Sequence, residues 1–289
     1  MNGVSHLLPA CDGLDTRQFQ VSIKKLADSL NFGLDRSPFL GPGQEYAQSR
    51  PYQFGDPIKS IDWRVTARTG RPFVKEYEAT KRMPAWLLVD GSASMAVTSQ
   101  PLSKYAWAVQ VAGGLALACL DRASPVGIMT VGSRELRLEP SLSRDRVMLW
   151  LHQLRHYRCD EETTLGYRLG ALLPSLPSRA LIIILSDLHD PRAVPVLKIA
   201  GQRHEVVVIQ LQDPAEHPVH GGGFFRGREA ESGRQFLSQG SEQVLDFATL
   251  ASQLRTARVD HLRLRTDQPL LAPLREFVKA RGLLGRKAR

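Results

Sequence analysis

Asp90, Ser92 and Ser94, within the string WLLVDGSASM, place one carboxylate and two hydroxyls at spacing i, i+2, i+4. This is a hard-oxygen set, suited to Mg2+, Mn2+ or Ca2+ and poorly suited to zinc. The apolar run Trp86, Leu87, Leu88, Val89 before it has the length and composition of a fully buried strand. The oxygens therefore arrive at the C-terminal end of a strand, where an open parallel sheet binds its ligands. A second apolar run, Ala180 to Leu185, ends on Ser186 and Asp187, and the polar loop from Arg158 to Thr164 offers Thr163 and Thr164 just before a helix. Asp90 and Asp187 would roughly balance a divalent ion, with hydroxyls and water completing a near-octahedral shell. The competing explanation is structural: Ser92 and Ser94 cap the helix that follows them, and Asp187 caps the next.

The elements that must position these oxygens follow from the hydrophobic pattern. After the strand at Trp86 come a helix from Leu102 to Asp121, a strand from Pro125 to Val131 and a short antiparallel strand from Glu135 to Leu138. Helices over 144–156 and 165–173 follow, then the strand over 180–185, a helix over 193–203 and a strand over 205–211. Strands alternating with helices predict an α/β fold with a doubly wound, mostly parallel sheet and right-handed crossovers. Upstream, apolar positions at Phe19, Ile23, Leu26, Ala27 and Leu30 predict a helix from Thr16 to Leu30. Past Asp213 the expectation is a hairpin turning at Glu231-Ser232-Gly233, a basic helix over 244–258, an edge strand over 261–264 and a last helix over 270–279. The expected division is an N-terminal extension over 1–83, the sheet domain over 84–215, and a C-terminal α+β segment with a basic tail over 216–289.

The formal net charge of +9 is concentrated. Ten Lys/Arg against three Asp/Glu from Ser252 to Arg289 put +7 of it in the last thirty-eight residues. Such a tail suits an acidic partner, an anionic membrane surface reached peripherally, or plain solubility. Cys11, Cys119 and Cys159 show no C-x-x-C spacing, which argues against a disulfide framework or a zinc site and fits a reducing compartment. The first residues lack a basic n-region, and the longest apolar stretch, Ala106 to Leu120, is broken by Gln110 and the Gly113-Gly114 pair. A cytoplasmic protein without a signal peptide or transmembrane segment is expected.

From Arg50 to Lys81, five aromatics (Tyr52, Phe54, Trp63, Phe73, Tyr77) are interleaved with charges of both signs. Grooves that stack bases are usually one-signed, so Arg–carboxylate pairs beneath aromatic packing are expected here rather than a nucleic-acid surface.

The pattern D-x-S-x-S, a later Thr and a later Asp resembles the metal-ion-dependent adhesion site of the von Willebrand factor A fold. The resemblance implies metal ligands at Asp90, Ser92, Ser94, Asp187 and one of the two threonines. Thr163 is the better match, because Thr163-Thr164-Leu165-Gly166 follows the family's pattern of a threonine, a polar residue and Leu-Gly. A tighter resemblance covers about residues 33 to 215. Gly41-Pro42-Gly43-Gln44-Glu45-Tyr46, Arg50-Pro51-Tyr52, Gly55-Asp56, Ile61-Asp62-Trp63 and Ala67-Arg68-Thr69-Gly70, leading into DGSASM, are similar to the bacterial domain-of-unknown-function family number 58. Glu162 departs from it, standing where the family often has Gly. That resemblance implies a MoxR-type AAA+ ATPase, or its client, as partner.

Enzymatic strings are few. His220-Gly221-Gly222-Gly223 resembles an esterase oxyanion loop, but no G-x-S-x-G elbow exists and the order along the chain is wrong. No P-loop is present. The reading that results is a non-enzymatic protein-interaction module that depends on a divalent cation, Mg2+ foremost with Mn2+ or Ca2+ as substitutes, and takes an acidic residue of a protein partner. The alternatives are a metal-dependent hydrolase using Asp90 and Asp187, with His189 nearby, and a basic nucleic-acid-binding protein.

Overall fold

The computed structural model describes residues 15–31, 44–79, 83–216, 225–228, 235–238 and 247–281. Its strands are β1 (Gln44–Pro51), β2 (Phe73–Ala79), β3 (Ala85–Val89), β4 (Val126–Thr130), β5 (Arg137–Ser141), β6 (Leu181–Ser186), β7 (Glu205–Gln212), β8 (Phe225–Arg228), β9 (Gln235–Ser238) and β10 (Val259–Arg265). Its α-helices are α1 (Thr16–Asn31), α2 (Trp63–Thr69), α3 (Ala93–Ala96), α4 (Lys104–Leu120), α5 (Arg144–Arg155), α6 (Leu165–Leu172), α7 (Ala193–Arg203), α8 (Phe247–Thr256) and α9 (Leu271–Arg281).

Six strands form the central sheet in the order β10-β7-β6-β3-β4-β5, all parallel except β5, which pairs antiparallel with β4. Counting only these strands along the chain, the order read from the β5 edge is 3-2-1-4-5-6, that of a doubly wound sheet. The order reverses between β3 and β6, so the crevice for a ligand opens beyond the C-terminal ends of those two strands.

Alternation along each central strand divides the core into two faces. Ala85, Leu87 and Val89 of β3, Leu181, Ile183 and Leu185 of β6, and Val207, Ile209 and Leu211 of β7 face one side with α1, α4, α5 and α9. Trp86 and Leu88, Ile182 and Ile184, and Val206 and Val208 face the other with α6, α7 and α8. Strands covered on both faces read as continuous apolar runs, which is why their positions were legible.

β10 completes the sheet as a parallel partner of β7, and α1 packs against α4 and α9, so segments expected in the N-terminal extension and the C-terminal tail contribute to this same core. The glycine pair that broke the apolar stretch of α4 is explained by this packing. A Cβ on Gly113 would lie 2.7 Å from Ile23 Cγ2, and one on Gly114 2.4 Å from Leu26 Cδ2, so only glycine lets α1 approach this closely. Cys119 and Cys159 are both buried, and burial pushes the Cys119 thiol up to about 12, in keeping with an inert structural cysteine.

The segment over 44–79 folds as β1 paired antiparallel with β2, with α2 between them. Arg50 grips Asp56 bidentately, both nitrogens at 2.8 Å. Asp62 caps α2 through the Arg64 and Val65 amides and accepts the Ser49 hydroxyl at 2.7 Å. The expected Arg–carboxylate framework is therefore present. The aromatic packing is only partial: Tyr52 and Phe73 are half-buried, but Phe54 is fully exposed and Trp63 is 67% exposed. β8 and β9 form the expected hairpin, whose turn lies outside the described residues, as do Cys11 and the string from His220 to Gly223. Among the described residues no helix is long and apolar enough to cross a membrane.

Candidate metal centre

β3 ends at Val89 and hands Asp90 to the switch point, where the residue is fully buried. Its Oδ1 accepts the Ser92 amide at 3.0 Å, and its Oδ2 accepts two hydroxyls, Ser186 at 2.5 Å and Thr163 at 3.2 Å. Ser92 Oγ lies 3.0 Å from Ser94 Oγ. The Ser94 hydroxyl also helps hold the Asp187 carboxylate in its charged form. All five sequence-predicted residues therefore meet at one place, carried by the ends of β3 and β6 and by the loop before α6.

Helix capping does not account for them. Ser92 occupies the N-cap of α3 but makes no side-chain capping bond, and its hydroxyl is engaged with Ser94 instead. Asp187 does not cap α7, whose N-cap is Arg192. That neighbourhood is served by Asp190, which accepts from the amides of Gly166 and Arg192 and so ties the start of α6 to the turn after β6. Between the two threonines the geometry separates the roles. Thr163 donates to Asp90, whereas Thr164 donates to the Val131 and Gly132 carbonyls.

The loop bearing Thr163 is held by a buried carboxylate that sequence reading missed. Glu161 accepts from Arg134 Nε at 2.6 Å, from the Arg134 amide and from Tyr157 Oη at 2.6 Å. Its carbonyl accepts the Ala93 amide at 2.8 Å, which docks the loop alongside the DGSAS turn. The Arg134 guanidinium also lies 4.9 Å from the Tyr157 ring centroid. Gly91 belongs to this arrangement, because a Cβ there would sit 2.5 Å from Tyr157 Cε1. The departure at Glu162 leaves the loop intact, since that side chain points to solvent.

The two carboxylates differ in charge state. Burial, and then the negative charge of Asp187, push Asp90 up to about 7, against the opposing hydrogen bonds from Ser186 and Ser92. Burial also works on Asp187, but there the charges of Lys104 and His189 and the hydrogen bonds of Lys104 and Ser94 outweigh it and hold the group below the ordinary carboxylate range. Lys104, the first residue of α4, is fully buried. Its ammonium donates to Asp187 Oδ2 at 2.7 Å and also to Glu216 Oε1. His189 Nε2 lies 3.8 Å from the same Asp187 oxygen. Asp187, His189 and Glu216 offer ligand atoms within 4.8 Å of one another, and Lys104 already bonds two of the three. Leu188, with φ of 63°, turns the chain sharply after Asp187, a left-handed conformation that costs a branched residue about 1–2 kcal/mol.

The donor set fits a hard divalent cation. It supplies carboxylate and hydroxyl oxygens, and the buried Asp187 Oδ1 has no hydrogen-bond partner among the described residues, a position that normally demands one.

The profile of the family described as protein of unknown function DUF58 matches residues 48–257. The chain belongs to that family. The DUF58 match begins within β1, takes in the whole candidate centre and α8, and ends before β10, reaching further downstream than the motif resemblance did. Uncharacterized proteins of Mycobacterium tuberculosis and Mycobacterium bovis are each 27% identical over 280 residues, covering 92% of this chain and 88% of theirs. Among solved structures, the conserved hypothetical protein BatB from Bacteroides thetaiotaomicron aligns with a TM-score of 0.48 at 17% identity, over 69% of this chain and 98% of its own. The SpRpn10 VWA domain aligns with a TM-score of 0.41 at 10% identity, over 71% and 98%. The fold assignment rests on the strand order and switch point described above.

Proposed function

We propose that this DUF58 chain is a non-enzymatic protein-interaction module whose contact with its partner runs through a divalent cation, Mg2+ foremost. The convergence of Asp90, Ser92, Ser94, Thr163 and Asp187 at the topological switch point carries this reading. Bound there, the ion would offer a coordination position to an acidic side chain of another protein. This chain's part is to hold the oxygens: Ser186 and Thr163 fix Asp90, Glu161 fixes the Thr163 loop, and Lys104 fixes Asp187. The partner class that the family resemblance implies is a MoxR-type AAA+ ATPase or its client, with the chain as adaptor or chaperone-like companion in the cytoplasm.

The full chain, immobilised as wild type and as Asp90→Ala, should recover such an ATPase from lysate in Mg2+ and lose it in EDTA, with Asp90→Ala failing in both buffers. Equal recovery in all four arms would contradict metal-dependent docking. A metal-dependent hydrolase is the second reading, favoured by His189 lying 3.8 Å from Asp187. Turnover of a phosphoester or peptide panel that disappears in Asp90→Ala would establish it instead.

A further inference from the structure

Lys104 poses a question the docking reading leaves open. A lysine at the first position of a helix meets the positive end of the helix dipole, and full burial strips it of water. Both costs are offset only because Asp187 and Glu216 grip the ammonium. The consequence falls on Asp187: Oδ2 is taken by Lys104, and among the described residues Oδ1 has no partner at hydrogen-bond geometry.

We propose that Lys104 is a built-in cation that restricts Asp187 to one metal-facing oxygen, and that it thereby selects a small octahedral ion over Ca2+ and keeps the metal-free centre folded. The inference rests on the metal-binding reading above. Mg2+ requires near-octahedral single-oxygen ligands, whereas Ca2+ takes six to eight oxygens and profits from bidentate carboxylates. An oxygen that already accepts from an ammonium is a weaker metal ligand, so Asp187 is disposed to bind through Oδ1 alone. Charge agrees with this assignment, since Asp90, Asp187 and Glu216 carry three negative charges when ionised, and Lys104 with a divalent ion carries three positive. Glu216, at the end of the segment leaving β7, gives Lys104 its second anion, so the ammonium is held from two directions.

The test is calorimetric titration of the full chain with Mg2+ and, separately, with Ca2+, together with thermal unfolding in EDTA and in each ion. Lys104→Met keeps the apolar stem of the side chain and removes its ammonium. It should gain more affinity for Ca2+ than for Mg2+, so that the preference for Mg2+ shrinks or inverts. Its melting temperature in EDTA should drop below wild type and be restored by Ca2+. Glu216→Gln, at a partly exposed position, should weaken both ions alike and keep their ratio, because Lys104 remains on Asp187. A Lys104→Met protein with the wild-type Mg2+/Ca2+ ratio would overturn the inference while leaving metal binding intact. Should Lys104→Met not fold, a Glu216→Gln protein that loses only Ca2+ would overturn it, since Glu216 would then be a ligand rather than an anchor. Absence of binding of either ion to wild type would remove the metal reading and this inference together.

Discussion

Asp187→Ala is expected to destabilise the protein by about 3–5 kcal/mol, whereas Asp90→Asn, at the neighbouring carboxylate, should cost less than about 1 kcal/mol in the absence of metal. The asymmetry follows from what each group neutralises. Asp187 is the partner of the fully buried Lys104 ammonium, so its removal leaves a desolvated cation with Glu216 alone. Asp90 pairs with no cation among the described residues and lies beside the charge of Asp187, which together with burial drives it toward the protonated form. An asparagine reproduces that neutral state and can accept from the Ser92 amide. The sign of the pH dependence is the same argument: a carboxyl raised when folded binds more protons than when unfolded, so its contribution to metal-free stability declines as pH rises from about 4 to about 7. Above that range Asp90→Asn should equal or exceed wild type in stability. Urea unfolding of both variants in EDTA measures the difference, and equal losses would show that Lys104 does not depend on Asp187.

Glu161→Ala should weaken divalent binding by about 10- to 100-fold without touching any proposed ligand. It should also cost about 2 kcal/mol of stability, because the Tyr157 hydroxyl and the Arg134 amide lose their acceptor in a partly closed site. Burial raises the Glu161 carboxyl, but the hydrogen bonds from Tyr157 and Arg134 outweigh it and keep the group ionised. Glu161 positions Thr163 from two residues away, and its carbonyl also anchors Ala93 beside Ser92. Glu161→Gln keeps the shape and should retain most of the binding. If Glu161→Ala binds metal as wild type does, Thr163 is placed by something other than this loop clamp.

Much of this arrangement was legible in the sequence because it is local. Buried strands declare themselves as apolar runs, and the strands at Trp86, Ala180 and Glu205 appear within a residue of where the pattern put them. Asp90, Ser92 and Ser94 share one turn, and Asp187 ends a strand, so both could be read as strand-end oxygens. Thr163 depended on resemblance, since two adjacent threonines are equivalent until the loop is folded. Lys104 could not be found this way. In sequence it is an ordinary lysine at the start of a helix, and its partners are 83 and 112 residues away. Glu161 and Arg134, 27 residues apart, likewise read as surface charges, although Glu161 is buried. Ser186 was visible beside Asp187, yet its bond crosses to Asp90 on the neighbouring strand, a pairing that only the parallel register of β3 with β6 creates. The β1–β2 pair forms a small sheet apart from the main one, and no strand was expected there.

The most direct test of the central claim is a Mg2+ titration of the metal-free full chain, as wild type and as Asp90→Ala, at pH 8 and pH 6. The account predicts one ion per wild-type chain at pH 8 and weaker binding at pH 6, where the ion must displace the Asp90 proton. It predicts no binding by Asp90→Ala at either pH. Failure of wild type to bind Mg2+ at pH 8, or binding by Asp90→Ala equal to wild type, would contradict it.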